Sequence, residues 1–215
     1  MKTPLVSWET FWSVSGAQDA APGLLADLLM AWSEPRRHYH TLQHLGECML
    51  HLESCWSLAE HPEEICLALW FHDAVYNPHS RENELYSAAW ADKAMSEAGF
   101  APDAIERVCE MILATTHQNA FAQGDCALML DIDLAILGAD KRRFAEYEAQ
   151  VRIEYEWIEE AAYRASRSKL LNRFLERPRI YHSAFFHSAL ENKARHNLKE
   201  ACLKLETPIV IQQRA

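Results

Sequence analysis

The chain has 215 residues, 49% of them hydrophobic, with a formal net charge of −10. That length suits one large domain or two small ones, and the acidic balance excludes general affinity for duplex nucleic acid, which needs clustered positive charge. No apolar run approaches the ~20 residues that would span a bilayer, and scarce glycine among abundant alanine, leucine and glutamate favours helices.

In chain order, Met1–Trp12 lacks a basic segment followed by an apolar stretch, so no secretory signal is expected. From Pro22 to Ser33, Leu24, Leu25, Leu28, Leu29 and Trp32 form an apolar stripe at helical spacing, and Pro35 ends it. Thr41 is suited to cap a helix over Leu42–Ala59. Pro62, Glu63 and Glu64 open the next, since proline tolerates the first turn and acids favour the positive dipole end. This helix is expected to reach Val75, closed by Asn77-Pro78.

Arg81–Ala98 reads as a helix stopped by Gly99, and Pro102 opens one over Asp103–Thr116. After a Gln118–Gly124 loop, Asp125–Leu137 is expected to be helical and to stop at Gly138. Asp140 caps a long charged helix to Trp157. Glu159–Leu175 and Arg179–Leu205 complete the set. No sustained alternation, repeat or linker interrupts the pattern, which predicts one all-α domain over 1–215, with a core about 35–140 and C-terminal helices about 140–205.

The six cysteines are scattered without a C-x-x-C pair. We read them as reduced, mostly core residues of a cytoplasmic protein. The tryptophans are expected in the core. Between Ala161 and Arg179, six basic residues (Arg164, Arg167, Lys169, Arg173, Arg177, Arg179) face Glu176 alone. Such a stretch is either a solvated helix face or a surface for a phosphate-bearing ligand.

The most informative feature is the doublet His72-Asp73, inside the apolar run Ile65–Phe71. Charged groups in a helix core need a partner, and a divalent ion holds an imidazole and a carboxylate together. His44 lies upstream, with His40 one turn before it, and Asp131 and Asp133 lie downstream. These two acids are i, i+2 and do not share a helix face, so one of them completes a His₂Asp₂ set with His44, His72 and Asp73. Mixed nitrogen and oxygen donors suit Mn, Fe, Co, Ni or Zn better than Mg.

Several stretches carry a family resemblance. They are Arg37-His38-Tyr39-His40-Thr41-Leu42-Gln43-His44, Phe71–Tyr76, Glu82–Ala88, Ala114-Thr115-Thr116-His117, Leu130–Gly138 and Arg152-Ile153-Glu154-Tyr155. Together they resemble a bacterial family of predicted metal-dependent phosphohydrolases within the HD superfamily. The resemblance implies an HD-type helical bundle with His44, His72 and Asp73 as ligands. It favours Asp133 over Asp131 as the distal acid, because a short apolar helix follows it.

Departures limit the analogy. The acidic pair that alarmone hydrolases carry after HD is replaced by Val75-Tyr76-Asn77, and the glycine-tyrosine-proline signature of cyclic-di-GMP phosphodiesterases is absent. Glu84, or Glu82, is a candidate acid or base, as is His117. Arg37 and Arg152 are candidate phosphate clamps. The expectation is a hydrolase for a nucleotide or other small phosphate ester, using one or two divalent ions, compatible with a homo-oligomer and without a membrane partner. The alternatives are a di-iron HD-type oxygenase, with His40 and His117 as extra ligands, and a non-catalytic nucleotide-binding sensor.

Overall fold

The structure, a computed structural model, describes residues 23–117 and 122–207. The expectations for Met1–Trp12, and for residues 118–121 of the expected loop, lie outside the described residues. Among the described residues there are nine α-helices and no strand. They are α1 Leu24–Trp32, α2 Leu42–Cys55, α3 Pro62–Phe71, α4 Asn83–Glu97, α5 Pro102–Ala114, α6 Gly124–Asp133, α7 Lys141–Glu154, α8 Glu160–Glu176 and α9 Ala184–Glu206. The expected all-α fold is therefore observed, with one contiguous apolar core.

Helix α3 is the axis of that core. Every residue from Glu64 to Phe71 is buried, as a helix apolar on all faces requires. It packs against α2, α4, α5 and α6. The one acid in this buried stretch, Glu64, is neutralised by Arg107, whose Nε and Nη2 donate to its two oxygens at 2.7 and 2.6 Å.

Helix ends depart from the sequence expectation in an informative way. The third helix stops at Phe71, not Val75, so His72 and Asp73 stand in the turn that follows it. Continuing the helix would leave the Ala74 carbonyl facing Pro78, which has no N–H to donate. Arg37 takes that role instead, donating through Nη2 to Ala74 O at 2.9 Å and through Nη1 to Asp73 O at 2.5 Å.

Helix α2 likewise ends at Cys55, short of Ala59, and passes into a 3₁₀ turn at Trp56–Leu58. Helix α6 ends at Asp133 and tightens into a 3₁₀ segment, Leu134–Gly138, where Leu137 was the expected end. The final helix starts at Ala184, not Arg179, capped by Ser183, whose hydroxyl accepts from Phe186 N.

The last helix holds the segment after Asp133. Asn197 Nδ2 donates to the carbonyls of Leu137 and Ala139 at 2.9 and 3.0 Å. Tyr181 Oη, from the loop before α9, donates to Leu134 O at 3.1 Å. Two tryptophans contradict the core expectation: Trp56 and Trp157 are exposed, the latter stacked on the His79 ring at 4.2 Å.

Candidate metal centre

Three helix ends converge on one point. His44 projects from the first turn of α2, His72 and Asp73 follow α3, and Asp133 ends α6. His44 Nε2 lies 3.1 Å from Asp133 Oδ1, 3.3 Å from His72 Nε2 and 3.9 Å from Asp73 Oδ2. His72 Nε2 lies 3.1 Å from Asp73 Oδ2 and 3.5 Å from Asp133 Oδ1. With metal–ligand bonds of about 2.1 Å, adjacent donors sit roughly 3.0 Å apart on an octahedral ion and roughly 3.4 Å apart on a tetrahedral one. His44, His72 and Asp133 form a group able to hold one ion, and Asp73 Oδ2 lies beside the two imidazoles.

The hydrogen bonds behind the imidazoles fit the same purpose. His72 Nδ1 is 2.8 Å from Leu69 O. A carbonyl only accepts, so the proton sits on Nδ1 and Nε2 is left to ligate. Tyr39 Oη, 3.0 Å from His44 Nδ1, allows the same arrangement on the other ring. Trp32 lies against both rings, with centroids 5.5 Å from His72 and 6.3 Å from His44, and shields them from water.

Electrostatics follow the crowding. Burial disfavours the charged forms, but the neighbours outweigh it. Interaction with His72 and His40, and the hydrogen bond from His72, hold the Asp73 carboxyl well below the usual carboxylate range. Hydrogen bonds from His117, His44 and His72 do the same for Asp133. Asp73 and Asp133 in turn raise His72 well above its ordinary pKa against its own desolvation. The pocket of two carboxylates favours a positive charge at its centre, which a divalent ion satisfies.

Asp131 has a different task. Completely buried, it accepts from His182 N and Ser183 N, each at 2.7 Å, and so anchors the start of α9. The structure brings Asp133, not Asp131, to His44 and His72.

A cavity of about 450 Å³ is lined by His72, Asp73 and Asp133. Glu84 and His117 line it, while Glu82 does not. His117 Nε2 is 2.8 Å from Asp133 Oδ2, so the carboxylate that faces His44 through Oδ1 also orients this ring. His117 has φ +52°, the left-handed region where a side chain costs energy. A histidine held there points to the side chain's position as the reason.

The arginine expectations are corrected. The Arg37 side chain is fully buried and its donors go to Glu34 and to the carbonyls of His40, Asp73 and Ala74. It shapes the Asp73 turn and does not line the cavity. Arg152 pairs with Glu160, donates to the carbonyls of Tyr155 and Ile158, and does not line this cavity.

Two residues with no role assigned from sequence support the centre. Glu154 Oε1 accepts from the backbone N–H groups of His38, Tyr39 and His40 at 2.8, 2.8 and 3.1 Å. Its Oε2 accepts from Tyr76 Oη at 2.8 Å and lies 2.7 Å from His40 Nδ1. Glu154 thus ties the strip that carries Tyr39 and His40 to the residues after Asp73. Tyr39 completes the frame through His44. Both stand in stretches that carried the family resemblance, but nothing in their local pattern marks a buried acid as a clamp.

No family model matches the chain, and neither a curated protein nor a solved structure does. Among the described residues no helix is long and apolar enough to cross a membrane.

Proposed function

We propose that the chain is a metal-dependent phosphohydrolase of the HD type, acting on a nucleotide or another small phosphate ester. One observation carries this reading: Asp73 and Asp133 each place a carboxylate oxygen 3.1 to 3.9 Å from the Nε2 atoms of His44 and His72, and His72, Asp73 and Asp133 line a cavity. The sequence resemblance to HD-superfamily hydrolases supports it.

His44, His72, Asp73 and Asp133 would hold a divalent ion, which would supply Lewis-acid polarisation of a phosphoryl oxygen and acidification of a water. The chain supplies the rest. His117, oriented by Asp133, and Glu84 line the cavity as groups able to move a proton to the leaving oxygen. Trp32 packs against the His44 and His72 rings and keeps water from them, which strengthens the charge interactions they make.

A second reading, a dinuclear iron oxygenase, draws on His40 and His117, which both line the cavity. Their hydrogen-bonded nitrogens already face Glu154 and Asp133. The test is phosphate release from a panel of nucleotides and phosphate esters with Mn, Co, Ni, Zn, Fe and Mg. Turnover that needs metal and vanishes in Asp73→Ala is expected. Metal binding without turnover would overturn the hydrolase reading in favour of an oxygenase or a sensor.

A further inference from the structure

Arg167 is a buried cation in the wall of the metal cavity, and the chemistry described above does not use it. It is 7% exposed, on α8, beside Leu170, Leu171 and Phe174, which also line the cavity. Its Nη2 donates to Tyr147 Oη at 2.7 Å and to Glu148 Oε1 at 2.5 Å. Its Nε is buried with no hydrogen-bond partner. A guanidinium presents its donors in a planar fork that matches carboxylate and phosphate oxygens. Leaving one such donor buried and unmatched is costly unless something arrives to fill it.

A chain of contacts links Arg167 to the candidate ligand His44. Its guanidinium carbon lies over the Tyr147 ring at 5.1 Å, Tyr147 packs edge-on against Tyr39 at 4.5 Å, and Tyr39 bonds His44. Two aromatic rings thus intervene along this contact path between Arg167 and the nearest ligand. Arg81, exposed, lines the same cavity. The cavity therefore presents acids and imidazoles at one place and a buried arginine with an apolar flank at another.

We infer that Arg167 binds a second anionic group of the substrate, a phosphate or carboxylate, remote from the one at the metal. This rests on the proposed hydrolase reading for the word substrate, but not for the anion site itself. It narrows the substrate class to molecules with two anionic groups joined by a short, partly apolar body. Glu148 pairs with Arg167 from outside the cavity lining and competes for its charge.

The test titrates metal-free protein with inorganic phosphate at constant ionic strength, followed by tryptophan fluorescence. Arg167→Met is expected to weaken binding at least tenfold, and Glu148→Gln to tighten it about threefold by releasing the competing carboxylate. A purely structural ion pair predicts no tightening in Glu148→Gln. Unchanged affinity in folded Arg167→Met, or no phosphate binding by the wild type at millimolar concentration, would overturn the inference. If Arg167→Met does not fold, Glu148→Gln decides: no tightening overturns it.

A kinetic arm separates the two readings. With metal present, Arg167→Met should raise KM at least tenfold for a phosphate ester bearing a carboxylate or second phosphate. It should leave an ester of a neutral alcohol within twofold. Equal effects on both esters would sink the second-anion site while leaving the hydrolase standing. Phosphate binding that depends on Arg167 in a protein without turnover would do the reverse.

Discussion

Glu154 grips His40 twice: one carboxylate oxygen accepts from its backbone N–H at 3.1 Å, and the other lies 2.7 Å from its ring Nδ1. The same carboxylate also holds His38, Tyr39 and Tyr76. Burial raises the Glu154 pKa, but the His40 hydrogen bond and charge and the backbone donors outweigh it, leaving the group at about 2 against an ordinary 4.5.

A depressed carboxyl stabilises the fold fully above its unfolded value and loses that contribution as pH falls through its folded one. The Glu154 share, about 3 kcal/mol at 1.36 kcal/mol per pH unit, is therefore expected to fade between pH 4.5 and about 2. His40 works with the opposite sign. Burial lowers its pKa, yet Asp73 and Glu154 raise it overall, so its contribution is complete below 6.5 and lost as pH climbs past its folded value. Urea midpoints of metal-free protein across pH should show the acid-side loss, and Glu154→Gln should flatten it. Glu154→Ala, which strands three backbone donors, is expected to cost about 3–5 kcal/mol.

The two nearby acids separate cleanly. Asp133→Ala should abolish stoichiometric metal binding while leaving the fold intact. Asp131→Ala leaves the His182 and Ser183 N–H groups without their acceptor and should destabilise by about 2–4 kcal/mol. Metal content by mass spectrometry, read beside denaturation of each variant, checks the pair. Loss of metal in folded Asp131→Ala at Asp133→Ala levels would contradict this division.

Tyr39 bonds the ring of a candidate ligand, His44. Tyr39→Phe removes the partner of His44 Nδ1 and should weaken metal affinity roughly tenfold. Competition with a chelator measures it, and the circular dichroism spectrum should not change.

Arg37 acts through the backbone of the Asp73 turn. Arg37→Met leaves the Asp73 and Ala74 carbonyls without their donor and should lower stability by about 2–4 kcal/mol. Metal affinity should fall with it. A phosphate clamp would instead raise KM at full metal occupancy, which steady-state kinetics would reveal.

Gly138 ends the segment after Asp133 where α9 passes close by. A Cβ there would stand 2.6 Å from Leu190 Cβ and 3.1 Å from its carbonyl oxygen. Gly138→Ala is expected to cost about 1–3 kcal/mol by overpacking, measured as a lowered urea midpoint with an unchanged slope.

The sequence by itself determined the helices and named the metal candidates. Apolar spacing, proline starts and glycine stops act within a few residues, so the presence and order of α1 to α9 were legible, while the ends of α2 and α3 and the start of α9 were not. The composition of α3 announced a buried helix, and His72-Asp73 beside it announced a polar centre. Tertiary structure alone decided what stops α3 at Phe71, because the donor to Ala74 comes from Arg37, far back in the chain. It alone separated Asp131 from Asp133, since the partners of Asp131 lie about fifty residues away in the loop before α9. It also turned Arg37 from a candidate clamp into a turn-former and placed Arg167 in the cavity wall. Charge and spacing are local properties, whereas the partner that gives a buried charge its role is chosen by packing.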